Sequence, residues 1–205
     1  MKKIFGVLAV SMLVAGVAQA VDYYGPTHLS KSNLDAVTVY GPANLNQVKA
    51  DSVVVTGPVQ FKDLEVAGGA EFTGPVTSST NGRFGELKVT GPFDASQVQT
   101  GKLDVTGPVK VKGLFVSGDT EVIGPLDAAQ SHFGNLTVNA EEINLDNVVV
   151  TGNVIVKDND KKQTLYLKGS TVQGNINFES GKGTVVIRGG SSEVKGQVKG
   201  ATLEK

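Results

Sequence analysis

Seven Gly-Pro pairs fall at near-constant spacing, and that spacing decides most of what this chain can fold into. They are Gly25-Pro26, Gly41-Pro42, Gly57-Pro58, Gly74-Pro75, Gly91-Pro92, Gly107-Pro108 and Gly124-Pro125, and they use every proline in the sequence. The intervals are 16, 16, 17, 17, 16 and 17 residues. A fixed period this short is the signature of a stacked repeat. A longer period overlies it. Gly41–Pro75 aligns without gaps to Gly91–Pro125 at an offset of 50, with sixteen of 35 positions identical. Lys62, Leu64, Val66, Gly68 and Glu71 recur as Lys112, Leu114, Val116, Gly118 and Glu121.

Within each period the apolar residues alternate. Val37-Thr38-Val39, Leu64-Glu65-Val66, Leu87-Lys88-Val89, Leu103-Asp104-Val105, Leu136-Thr137-Val138, Leu165-Tyr166-Leu167, Ile176-Asn177-Phe178 and Val185-Val186-Ile187 all read as short strands with one face inside. Only Leu126–Ser131 has helical composition, and six residues cannot sustain a helix. The expected fold is all-β, a single-domain parallel β-helix, or solenoid, with 16–17-residue coils and Gly-Pro corners. Glycine supplies positive φ at a corner, and proline has no N–H to give to the next coil. An antiparallel sandwich or barrel with Gly-Pro turns would not need repeats in one phase. From Gly25 to Lys205 about 11 coils fit, a rod roughly 50 Å long at ~4.8 Å per coil. Val39, Val55, Phe72, Val89, Val105 and Val122 stand two residues before a glycine and are expected to form one interior column.

Three segments are expected. Residues 1–20 read as a signal peptide: Lys2-Lys3, an apolar run from Ile4 to Val17, then Ala18-Gln19-Ala20 with the small-x-small form cleaved after Ala20. Residues 21–156 carry the Gly-Pro-punctuated solenoid. Residues 157–205 continue it with different corners and a basic end. Thr151-Gly152-Asn153 reads as the last echo of the Gly-Pro corner, with asparagine in the proline slot. Residues 21–156 hold 8 Lys and Arg against 15 Asp and Glu; residues 157–205 hold 9 against 5. An acidic body and a basic end favour head-to-tail attraction.

Chemistry is sparse. The chain has no cysteine, which excludes disulfides, thiolate metal sites and cysteine nucleophiles. Its two histidines, His28 and His132, lie in unrelated contexts and cannot supply a three-histidine zinc site. Asp158-Asn159-Asp160 starts like a calcium loop, but Lys161-Lys162 follow and no closing glutamate does, so a polar turn is expected. Glu71 and Glu121 are repeat equivalents; three coils would hold them ~14 Å apart, too far for a glycosidase pair. Arg83 and Arg188 are the only arginines, a poor supply for clamping acidic sugars. Ser78-Ser79-Thr80 and Ser191-Ser192 are turn composition, and Asn135-Leu136-Thr137 is an accidental glycosylation match. The residues before the corner glycines, Tyr24, Tyr40, Thr56, Thr73, Thr90, Thr106 and Ile123, form an outward column. An ice-binding face would need a second threonine column, whereas Thr38, Val54, Glu71, Lys88, Asp104 and Glu121 stand there.

The Gly-punctuated segments Val116-Ser117-Gly118-Asp119-Thr120-Glu121-Val122 and Ser170-Thr171-Val172-Gln173-Gly174-Asn175-Ile176 give the mature chain a resemblance to bactofilin-like proteins. The resemblance implies a parallel β-helix with a tendency to polymerise end to end. The export signal and dense Gly-Pro corners depart from that family, most of whose members act in the cytoplasm, so it implies no cytoskeletal role. The expected function is that of an exported, non-enzymatic, structural, self-associating or adhesive solenoid of a bacterial envelope or extracellular matrix, periplasmic, cell-surface or extracellular. The alternatives are a carbohydrate-binding or carbohydrate-acting β-helix and an ice-binding solenoid. No catalytic residue, cofactor or metal is expected. The expected partners are further copies of itself, head to tail, and an envelope or matrix component; no nucleic acid and no transmembrane segment after cleavage are expected.

Overall fold

The computed structural model describes residues 3–5, 8–10, 20–189 and 191–204. It is an all-β parallel solenoid of about 11 turns with a coil spacing of about 17 residues. The contacts group into two compact units, Met1–Gly101 and Lys102–Lys205. The change of texture at 156/157 falls inside the second.

In the first unit the strands Thr27–Tyr40, Ala43–Thr56, Val59–Thr73 and Val76–Thr90 each run through a whole coil. They pair in parallel with their neighbours. The coil that begins at Val59 shows how one period is spent. Val59 and Phe61 point inward on a first side, Leu64 and Val66 on a second, Ala70 and Phe72 on a third, and all six are buried. The first bend needs a left-handed residue, and Lys31, Gln47, Asp63, Asn81 and Gln97 take positive φ there in successive coils. The second bend passes through Gly68-Gly69, Gly85 and Gly101. The third is the Gly-Pro corner.

That corner needs its two residues for separate reasons. The corner glycine has φ between 135° and 144° at Gly41, Gly57, Gly74 and Gly91, a region other residues avoid. A Cβ added there would also lie 2.5–2.7 Å from the carbonyl oxygen of the corner glycine one coil earlier. The ladder is carried past proline by its neighbours. Gly57 N–H donates to Thr73 O and Val59 N–H to Pro75 O, both at 2.8 Å. The missing proline N–H therefore costs no inter-coil bond.

The interior ladder runs Tyr23–Val39–Val55–Phe72–Val89 in register, and each of these residues is at most 7% exposed. Phe61, Phe72 and Phe84 fill the interior at centroid distances of 5.6–6.3 Å, Phe84 edge to face with the other two, which are tilted at 35° to each other. Gly82 makes room for them, since a Cβ there would meet Phe84 and Phe61 at 2.7 and 2.8 Å.

The second unit keeps three sides but breaks into short strands. The first side is Val109–Lys112, Leu126–Ala129, Glu142–Asp146, Thr164–Lys168, Gly183–Arg188 and Ala201–Glu204, paired in parallel. The third carries Val122–Val138–Val156–Phe178 inward, all buried, as are Val105 and Val122 of the expected column. Leu126–Ala129 is a strand, not a helical turn.

Gly152-Asn153 does not occupy the Gly-Pro corner. Gly152 N–H donates to Gly134 O and Gly174 N–H to Gly152 O. These glycines belong to the second bend, whereas the Gly-Pro column passes from Gly124-Pro125 to Ala140-Glu141, where Gly124 N–H meets Asn139 O. The echo was misplaced because Thr-Gly-x suits either bend; ladder register alone separates them. Residues 157–163 leave the coil after Val156 and return at Thr164, so Ile143 pairs with Leu165. Gln163 is fully buried and closes this excursion by donating to the carbonyls of Ala140 and Lys157 at 3.1 and 2.7 Å.

Of the leader assigned to residues 1–20, Lys3–Phe5 and Leu8–Val10 pair in parallel with Asp22–Tyr24 and Thr27–Leu29. Ala20 is exposed at the start of Ala20–Tyr24; the rest of the leader, Ala18 and Gln19 included, lies outside the described residues. Among the described residues there is no helix, and none is long and apolar enough to cross a membrane.

Candidate functional site

The residues with chemistry are spread along the outward columns. His28 is exposed between Ala9 and Asn44 of adjacent coils. His132 is half-buried and stacks on Phe115 at 4.9 Å. Glu71 is exposed and bridges Lys88 at 3.0 Å, and Glu121 is exposed. Asp158 and Asn159 spend side-chain oxygens on the N–H groups of Asp160 and Lys161, at 3.0 and 3.2 Å. Lys161 turns back to Glu141 at 2.5 Å. Among the described residues no group of three or more His, Cys, Asp or Glu could hold a metal ion. Ser78 Oγ bonds Thr80 O at 3.4 Å within its turn, while Ser192 Oγ accepts the Ser170 N–H at 3.2 Å. Arg188 lies 3.9 Å over the Tyr166 ring.

The outward column before the corner glycines is exposed at Tyr40, Thr56, Thr73, Thr90, Thr106 and Ile123. Tyr24 and Tyr40 stack at 5.2 Å.

The first unit carries an open groove of about 580 Å³ along its left-handed bend. One wall is Gln47, Asp63, Asn81 and Gln97, the other Lys49, Glu65, Arg83 and Gln99. The bend creates it, because a left-handed residue turns its side chain outward at the same place in each coil. The polar groups bond along the ladder. Asn81 Nδ2 donates to Asp63 Oδ1 at 3.1 Å, and Lys49 Nζ lies 2.6 Å from Glu65. The Lys49 ammonium, first by its hydrogen bond and then by its charge, holds the Glu65 carboxyl below the usual range, with Arg83 adding to it. No signal in residue type marks this wall, since Lys31, Gln47, Asp63, Asn81 and Gln97 share conformation but not chemistry.

The second unit holds a ladder that sequence reading passed over. Asn135 Oδ1 accepts the Asn153 N–H, Asn153 Oδ1 the Asn175 N–H, and Asn175 Oδ1 the Gln197 N–H, at 2.9–3.0 Å. Asn135 itself donates to Asp119 at 2.9 Å. The repeated Gly-Asn at 134, 152 and 174 was the available signal.

Among the described residues, no strand lies over the last coil. Val194, Val198, Ala201 and Leu203 continue the interior columns over Val172, Ile176, Gly183 and Val185. The partners beneath are buried, yet Val194, Val198 and Ala201 are only half-buried and Leu203 is 44% exposed. At the other end Tyr23, Thr27 and Leu29 face the interior of the first coil, and burial pushes the Tyr23 phenol up from its ordinary value. Comparison with protein-family models, curated proteins and solved structures returns no match.

Proposed function

We propose that the mature chain is an exported, non-enzymatic structural solenoid of a bacterial envelope or extracellular matrix that joins copies of itself end to end. The observation that carries this reading is the exposure of apolar side chains on the last described coil. A parallel solenoid leaves a row of N–H and C=O groups at each end, and such edges recruit strands unless capped. Soluble solenoids ordinarily close with a polar terminal repeat. Here Val194, Val198, Ala201 and Leu203 present apolar side chains at the open rung. The acidic body and basic end add an attraction that salt weakens. Sedimentation of the exported, processed protein over a wide concentration range tests the reading. Association that grows with concentration and falls with salt is expected; a strictly monomeric species at high concentration and low salt overturns it.

A second reading is favoured by the groove of the first unit, whose amides, carboxylates and cations suit the hydroxyls of a neutral glycan. Hydrolysis there lacks support. A general acid needs a raised carboxyl pKa, whereas that of Glu65 is lowered. Binding of soluble oligosaccharides, lost on Asn81→Ala with Gln97→Ala, would favour it.

A further inference from the structure

Resting on the self-association reading, we infer that the last coil of one copy docks on the first coil of the next as one continued ladder, with its register fixed by two pairs of opposite charge and a carboxylate–imidazole contact. The columns are traced within each unit and matched between units by the 50-residue repeat of the sequence. In the first unit Asp22, Thr38, Val54 and Glu71 are successive partners. In the second Glu121, Thr137, Ile155, Asn177 and Lys199 are. Glu71 and Glu121 are the same position of the 50-residue repeat, so Asp22 in the first coil and Lys199 in the last hold equivalent positions. Likewise His28, Asn44 and Gln60 lead, through the equivalent Lys110, to Asp127, Asn144, Tyr166, Val186 and Glu204.

The third pair comes from the second side. Leu34, Ala50 and Val66 lead, through the equivalent Val116, to Phe133, Val150, Val172 and Val194. Asp35 follows Leu34 as Lys195 follows Val194. Stacking a second copy in the same register therefore sets Lys199 against Asp22, Lys195 against Asp35 and Glu204 against His28. It also lays Val198 over Val21 and Val194 over Leu34. Both charged pairs are of opposite sign and Glu204 meets an imidazole, and complementary fields fix register and suppress wrong pairings.

The first coil accepts strands in this way. Lys3–Phe5 and Leu8–Val10 lie on it in parallel, with Lys3 opposite Asp22 and Ala9 opposite His28. Cleavage after Ala20 removes both segments and leaves the same rung for Val198–Lys199 and Ala201–Glu204 of another copy.

The test uses the full chain expressed with its leader in a Gram-negative host, and the processed product whose mass starts at Val21. Two variants are prepared, Lys195→Asp with Lys199→Asp, and Asp22→Lys with Asp35→Lys. Circular dichroism confirms that each keeps the parent's strand content. Sedimentation velocity is then run on each alone and on an equimolar mixture. Each variant alone should need ~tenfold or more higher concentration to associate than the parent. The mixture should recover association, because acidic last coils then meet basic first coils. Association of both single variants at the parental concentration overturns the register while leaving self-association standing, and points to a two-fold arrangement of like ends. A mixture that stays monomeric while the parent associates also overturns it. A parent that never associates removes the self-association reading itself.

Discussion

The first unit turns its third corner with backbone restriction, and the second turns its second corner with side-chain hydrogen bonds. At Gly41, Gly57, Gly74 and Gly91 the chain bends because only glycine fits under the carbonyl one coil earlier, and the following proline arrives with φ already set. Nothing in that corner depends on a side-chain bond. At Asn135, Asn153 and Asn175 the amide oxygen of one coil caps the N–H of the next. The two devices tolerate different irregularity. A Gly-Pro corner admits coils of 16 or 17 residues; from Thr27 to Thr90 it joins whole-coil strands, while Gly107 and Gly124 in the second unit join short ones. The unit with the asparagine ladder absorbs the 157–163 excursion and coil steps of 22 residues between Val150 and Val172, at the cost of shorter strands.

Each unit has an apolar interior of its own, so a charge placed there is the largest test. Val89 is 1% exposed and paired with Phe72. Val89→Asp buries a carboxylate without a partner and is expected to cost on the order of 4 kcal/mol or more. Thermal unfolding by circular dichroism checks it; a melting point equal to the parent's would mean the column is not interior.

The glycine-restricted corner gives the next effect. Gly57→Ala places a Cβ 2.5 Å from Gly41 O at φ 144°. It is expected to cost ~2–4 kcal/mol. Gly69→Ala, where a Cβ meets nothing within 4 Å, is expected to be neutral or stabilising by up to ~1 kcal/mol. Urea unfolding of the two variants side by side measures the difference. Equal losses would show that steric closure under the preceding carbonyl is not what fixes the corner.

This contrast also explains what could be read from sequence. Gly57-Pro58 announces itself because one residue type satisfies both conformation and space, so the letters must repeat. The inward columns were legible because burial selects Val, Leu and Phe at period two. The left-handed bend was not, because Lys31, Gln47, Asp63, Asn81 and Gln97 hold one conformation with four different side-chain chemistries. The groove they line was invisible for the same reason. Gly152-Asn153 misled because two bends use glycine, and only the bond to Gly134 O tells which one.

The hydrogen-bonded corner should be softer. Asn153→Ala leaves the Asn175 N–H without its side-chain acceptor, but in an exposed setting where water substitutes. About 1 kcal/mol is expected. Hydrogen exchange at Asn175 and Gln197 should accelerate while the amides of the first unit keep their protection. Uniform acceleration through both units would contradict a local role for the ladder.

The smallest effect separates the units by pH. In the first, Lys49 lowers the Glu65 pKa. A group lowered in the folded state contributes stability that is full above the unfolded glutamate value and is lost as pH falls through the lowered one. In the second, Glu179 raises the Lys157 pKa, first through its hydrogen bond and then through its charge, across a 2.8 Å contact. A raised lysine contributes stability that is full below the unfolded lysine value and is lost as pH rises through the raised one. The two cross-coil pairs therefore fail at opposite ends of the pH range. Both are solvent-exposed, so screening keeps either contribution small, and a melting curve is too blunt to find it. Carboxyl-carbon NMR titration reads it directly. Glu65 should titrate below an ordinary glutamate, and Lys49→Met should move it back up, incompletely because Arg83 remains. A Glu65 midpoint unchanged by Lys49→Met would mean the pair does not persist in solution, and the acid-side half of the contrast would fall.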